Sequence, residues 1–364
     1  MVDNADQAGI PGQGALIRRV NRLKSKLRPS EPKDLDFELA RSHLPEEFLL
    51  RDVKVYAATT MKGRHILFAT DHQLKLLASA RRWYMDGTFK VVHAPFKQLF
   101  SVHAFVRCGD NIKQVPLAFA LMTSRCRTDY MAVLTELKKA LPREIELEEG
   151  VTDFEVGLCQ AFQEVFQGTR MKGCAFHWCQ AIWRKVQELG LQRAYNNDHR
   201  VYSWVRRLMA LPFLPHKAIQ PALRALQSRA AGALTDLADY VQKTWVDSTV
   251  FPPRRWSVYM QAIRTNNDVE GWHRRLNLKA RKTNLPFYLL VDLLFQESQV
   301  VKAQVRMIYE GSLRQHRRSQ YRSLQQRLFK AWQEFDVDKR TARELLAVCS
   351  RLYGPTITHA AKSG

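Results

Sequence analysis

Three carboxylates stand out by their position in the chain. Asp86 sits on the polar side of an alternating apolar segment, Trp83-Tyr84-Met85-Asp86-Gly87-Thr88-Phe89-Lys90-Val91-Val92. Asp153 ends a second strand-like run, Ile145 to Thr152, at a strand-to-helix junction, and Glu270 enters a helical segment within Asn266-Asn267-Asp268-Val269-Glu270-Gly271-Trp272-His273. A charged group in such an element is costly unless something compensates it. Breaking and joining phosphodiesters asks for acids of this kind. A water or a 3′-hydroxyl must be made nucleophilic and a leaving oxygen stabilised. Two divalent cations about 3.5–4 Å apart do both when carboxylates hold them. Mg2+ and Mn2+ are hard ions that prefer oxygen, so Asp and Glu are the expected ligands and Cys or His are not. Taken singly, the three also read as a surface Asp, a helix-capping Asp and a solvated Glu. Glu155 and Asp268 are close competitors, read as solvated or as supporting groups.

The elements around these acids follow from periodicity. Trp83, Met85, Phe89 and Val91 alternate with Asp86, Thr88 and Lys90, the period of a strand with one buried face. Leu99 to Val106 and Val115 to Met122 read as two further strands, joined by Arg107-Cys108-Gly109-Asp110-Asn111, a hairpin-turn composition. Tyr130, Val133, Leu134, Leu137 and Leu141 recur at helical spacing, and Pro142 ends that helix. After the strand Ile145–Thr152, Asp153 is placed to cap a helix over Phe154 to Phe166. A short strand near Met171 to Phe176 and a helix from about Trp178 to Leu189 complete the pattern. Beyond it the periodicity is helical only.

The predicted fold class is therefore α/β: a mixed sheet of the ribonuclease-H-like kind, interrupted by an all-helical insertion and followed by a helical C-terminal extension. The expected divisions are a basic mobile arm (1–40), lead-in elements (41–80), the first part of the core (81–189), the helical insertion (190–262), the core helix bearing the third acid (263–300) and a basic helical extension (301–364). The stretch from Asp153 to Glu270 is too long for a simple connection and leaves room for the insertion.

Charge narrows the partners. The 364 residues include 57 Lys+Arg against 35 Asp+Glu, a formal net charge of +22. Such a surplus favours a polyanion through phosphate contact and counterion release. Six scattered cysteines, no apolar signal segment and no apolar run long enough to span a bilayer point to an intracellular chain with reduced thiols and no membrane partner. For a basic DNA enzyme the expected compartment is the nucleus, with the basic run from Arg18 to Arg28 as a weak candidate import signal.

Several motifs in order carry a family resemblance. They are Asp86-Gly87-Thr88-Phe89-Lys90, Gln98-Leu99-Phe100, Val115 to Met122, Asp153-Phe154-Glu155, Gly173-Cys174-Ala175-Phe176-His177-Trp178 and the segment from Asn266 to His273. Together, over roughly residues 80 to 300, they resemble the transposase domain of Mutator-like elements (MULE). The resemblance implies a ribonuclease-H-like fold with a helical insertion and an acid triad at Asp86, Asp153 and Glu270. It also implies a Mg2+ or Mn2+ two-metal site, cleavage at element ends, strand transfer into target DNA, and a homodimer or higher oligomer on double-stranded DNA.

Cys174 and His177 match a pair that the family carries between its second and third acids. Two ligands fall short of the four a structural zinc site wants, so they read as a packed Cys and a hydrogen-bonded His. Trp272, beside the third acid, is a candidate for stacking on a base. Arg306, Arg314, Arg317, Arg318 and Arg322 lie in a basic C-terminal stretch suited to phosphate contact, which gives affinity without sequence readout. No paired Cys/His recognition module is visible beside the core. That keeps open an alternative, a catalytically inactive DNA-binding regulator derived from a transposase.

Overall fold

The computed structural model describes residues 13–26, 28–109, 111–142, 145–264, 267–281, 283–312 and 319–352. Helix α1 (Gln13–Lys26) precedes a hairpin, β1 (Leu49–Ala57) and β2 (Thr60–Phe68), and the short helix α2 (Asp71–Ala78). Then come β3 (Arg82–Thr88), β4 (Gln98–Cys108), β5 (Asn111–Met122), α3 (Arg127–Ala140), β6 (Glu149–Thr152), α4 (Val156–Val165), β7 (Arg170–Gly173) and α5 (Ala175–Glu188). These strands form one mixed sheet in the order β1-β2-β5-β4-β3-β6-β7. Neighbours from β1 to β3 are antiparallel, whereas β3, β6 and β7 run parallel.

The remaining elements are helical. They are α6 (Gln192–Asn197), α7 (His199–Met209), α8 (His216–Gln227), α9 (Ala233–Val241), α10 (Pro253–Trp256), α11 (Asn267–Ala280), α12 (Phe287–Tyr309), α13 (Ser319–Asp336) and α14 (Ala342–Leu352). None of the described helices is long and apolar enough to cross a membrane.

Strand alternation decides which helix covers which face. Trp83, Met85, Val102 and Ala104 face one side and pack with Val133, Leu134, Leu158 and Phe162 of α3 and α4. That core continues into the helices after β7, where Trp178 stacks on Trp256 with centroids 4.3 Å apart and Trp332 donates to the Phe213 carbonyl. Ile66, Phe68, Leu99, Phe119 and Leu121 face the other side, under α11 and α12. Asp86 and Ser101 are cross-strand partners on this second face.

Several boundaries differ from the periodicity. β3 ends at Thr88, so Phe89 is 49% exposed while Val91 is buried in the second core. β6 holds only four residues, and α4 starts at Val156 with Glu155, not Asp153, at its N-cap. Within 1–40, Gln13–Lys26 is helical and Phe37 packs edge-on against Phe96 and Phe287, which anchors the segment leading into β1.

Close approaches explain two glycines of the motifs. A Cβ on Gly87 would lie 2.6 Å from Gln98 Oε1, and one on Gly173 would lie 2.1 Å from the Phe154 ring. Real Cβ atoms do not come that near, so a side chain at Gly173 would have to displace the Phe154 ring, while one at Gly87 would displace the end of the Gln98 side chain.

Candidate active site

Each acid is delivered by a different element. Asp86 projects from the middle of β3 and is 5% exposed. Its Oδ1 accepts the Gly87 backbone N–H at 2.8 Å, while its buried Oδ2 has no hydrogen-bond partner. Asp153 follows the last residue of β6, the strand parallel to β3, and its buried Oδ1 is likewise without a partner. Glu270 stands in the first turn of α11, laid over the face that carries Asp86. Its side chain is 41% exposed, the open side of the cluster.

His177 joins them from the first turn of α5. Its Nε2 lies 3.3 Å from Glu270 Oε1. One ligand atom each from Asp86, His177 and Glu270 fall within 4.8 Å of one another, the one such group of three or more metal-capable side chains among the described residues. Asp153 lies outside that trio but within its field, since its charge acts on Asp86 and those of His177 and Glu270 act on it.

The electrostatics are those of acids held close together and dry. Burial, reinforced by Asp153 and Glu270, pushes the Asp86 carboxyl up to about 7 against the pull of His177 and the Gly87 N–H. Burial also raises Asp153, with His177 opposing it. The bond from His177 holds Glu270 below its ordinary value despite some burial. Burial works against a charged His177, yet its bonds to Cys174 and Glu270 and the charge of Asp86 hold its imidazole up to about 11. At neutral pH this histidine is an imidazolium set among carboxylates.

A second histidine backs Asp86. His273 Nδ1 lies 3.8 Å from Asp86 Oδ2, His273 Nε2 lies 3.3 Å from Ser101 Oγ, and Ser101 Oγ lies 2.9 Å from His103 Nε2. Burial drives His273 down to about 4 and His103 well below its ordinary range, so both rings are neutral.

The donor set suits a hard cation. Asp86, which carries a buried carboxylate oxygen without a partner, comes within 4.8 Å of a half-open carboxylate, Glu270, and Asp153 carries a second partnerless buried oxygen within their field; a divalent ion can replace the hydration such oxygens lose. No cysteine belongs to the cluster found among the described residues: Cys174 is buried and bonds His177, and the Cys179 thiol donates to the Met209 carbonyl.

The sequence makes His177 a hydrogen-bonded histidine beside a packed Cys174, and nothing in a Cys-x-x-His spacing by itself shows that the imidazole meets Glu270. The hint available was its place on the first turn after β7, the strand next to the one that ends at Asp153.

Other site expectations fare differently. Trp272 is only 2% exposed: it stacks on Phe119 with centroids 5.6 Å apart and donates to Glu297 Oε2 at 2.8 Å. The expectation that it stacks on a base is therefore corrected, because its ring is core and has no free face. Arg306 is exposed and paired with Glu310 at 2.7 Å, one helical turn away. Arg314, Arg317 and Arg318 lie outside the described residues, as does the side chain of Arg322 on α13.

No curated protein matches the chain. Residues 82–181, from the start of β3 into α5 and including Asp86, Asp153, Cys174 and His177, match the family model of the MULE transposase domain, which points to a transposase-related function.

Proposed function

We propose that this chain is the catalytic core of a DDE-type DNA transposase, cutting and joining DNA strands with Asp86, Asp153 and Glu270 and a divalent metal. The observation that carries the reading is the meeting of Asp86 and Glu270, 184 residues apart in sequence, in one cluster with His177, with Asp153 at the end of the strand beside β3. The strand order adds support. Three antiparallel strands (β3, β4, β5) followed by two parallel ones (β6, β7) on the β3 side are what a ribonuclease-H-like core requires.

Asp86, Asp153 and Glu270 would hold Mg2+ or Mn2+, which supplies Lewis-acid activation of the attacking oxygen and stabilisation of the leaving one. The chain's own residues prepare the place. Burial keeps water from competing for Asp86, the Gly87 N–H fixes one oxygen of its carboxylate, and α11 brings Glu270 over the face that carries it. His177 balances the acids with a positive charge and holds Glu270 by a hydrogen bond. The net charge of +22 draws the DNA, the double-stranded element end and its target. We place this work in the nucleus, with two or more copies pairing the DNA ends.

The test is direct. Purified protein is mixed with labelled duplex and Mg2+ or Mn2+. Nicking that Asp86→Asn abolishes without weakening DNA binding supports the proposal, and joining of the cut ends separates a transposase from a plain nuclease. DNA binding with no cutting under either metal defeats it in favour of a non-catalytic, transposase-derived regulator.

A further inference from the structure

Beside the acids stands a feature that neither the sheet nor the cores use. Phe89, three residues beyond Asp86, leaves β3 at its end and exposes 49% of its surface. Arg125, in the exposed segment before α3, places its guanidinium over this ring, 5.0 Å from the centroid. The Arg125 backbone runs close against α4: a Cβ on Gly157 at the start of that helix would come within 3.3 Å of the Arg125 carbonyl oxygen.

The charges sharpen the point. Arg125 is close enough to lower both Asp153 and Glu155, yet among the described residues it forms no ion pair with either. An exposed cation stacked on an exposed aromatic gains little from that contact alone. Side by side at the rim of an acid cluster, the two match what a nucleotide offers: a flat π-face for the ring and a phosphate for the guanidinium.

We propose that Phe89 and Arg125 form a clamp for an unpaired nucleotide next to the phosphate being cut, the base stacking on Phe89 and the adjoining phosphate meeting Arg125. The inference rests on the transposase reading above and adds a positioning element to it. Phe89 and Arg125 hold the strand and take no part in bond making.

The probe is a duplex with a short single-stranded flank carrying 2-aminopurine, bound in Ca2+ so that cutting does not interfere. Wild type is expected to quench the fluorescence. Phe89→Ala and Phe89→Leu are expected to abolish the quench and weaken binding roughly 5- to 100-fold, while Phe89→Tyr keeps both. Arg125→Gln is expected to lower the salt dependence of binding by about one phosphate contact. Equal melting temperatures for all variants show that the fold is unchanged. Unaltered quenching and affinity in both Phe89→Ala and Phe89→Leu overturn the clamp, as does a Phe89→Tyr that fails like Phe89→Ala. Wild type that quenches as expected but never nicks in Mn2+ defeats the catalytic reading and leaves the clamp standing; wild type that binds no DNA overturns both.

Discussion

Replacing Asp86 by Asn tests whether the acid cluster is built to be strained until a cation arrives. The carboxyl of Asp86 is pushed from an ordinary 3.8 to about 7, chiefly by burial. An acid raised on folding means that the native state holds a proton the unfolded chain has released. Stability therefore falls as pH rises from about 4 to about 7 and is flat for this group above that. The rise of roughly three units corresponds to a loss on the order of 4 kcal/mol at full ionisation. For a chain of this size that is roughly 5 °C in melting temperature. His177 acts in the same sense over a higher window. Held up to about 11, it contributes stability that is complete below about 6.5 and is lost as pH climbs toward 11.

In metal-free buffer with chelator, the wild-type melting temperature is thus expected to fall between pH 4.5 and 7.5, and Asp86→Asn, which is never charged, to lose most of that slope. Adding Mn2+ at pH 7.5 is expected to restore several degrees to the wild type and nothing to the variant, since a ligand that binds only the native state stabilises it. Thermal denaturation followed by fluorescence reads both. Parallel pH profiles for wild type and variant, or an equal response to Mn2+, would refute the reasoning.

Other expectations follow from single contacts. Asp153→Asn and Glu270→Gln should each remove metal-dependent nicking while leaving DNA affinity in a gel-shift assay within about twofold, because phosphate contacts elsewhere supply the affinity. Gly173→Ala should destabilise the fold by about 1–3 kcal/mol in denaturant melts, since the new methyl meets the Phe154 ring, itself wedged against Trp245 and Phe251; a neutral result would show that the ring moves freely. Trp272→Ala should cost about 3–5 kcal/mol of stability, with Trp272→Phe milder, and a variant with lost DNA binding at unchanged stability would contradict its place in the core.

Much of the sheet was legible from alternation and turn chemistry. β4, β5 and the helix after them appear within one to four residues of their expected limits, since long amphipathic runs joined by a Gly-bearing turn allow few other arrangements. Short elements were less legible. β6 and β7 hold four residues each, too few for a period to show, and they are extended because β3 offers a parallel edge to β6 and β6 in turn offers one to β7. Within the lead-in elements, the outer strand of the β1–β2 hairpin was hard to read because it is largely solvated and carries no clear alternation.

The acids show the same division. By itself the sequence determined which residues were chemically able to hold a hard cation, because a carboxylate in the polar register of a buried strand is costly wherever it lies. It also determined that the chain is strongly cationic. Only the tertiary structure decided that Glu270 reaches Asp86, that His177 stands with them, and that Trp272 turns into the core instead of toward DNA. Those outcomes depend on how α5 and α11 lie across the sheet, and a helix's own periodicity states which face is apolar without stating what that face meets. Proximity between segments nearly two hundred residues apart is set by packing, and local residue pattern carries no record of it.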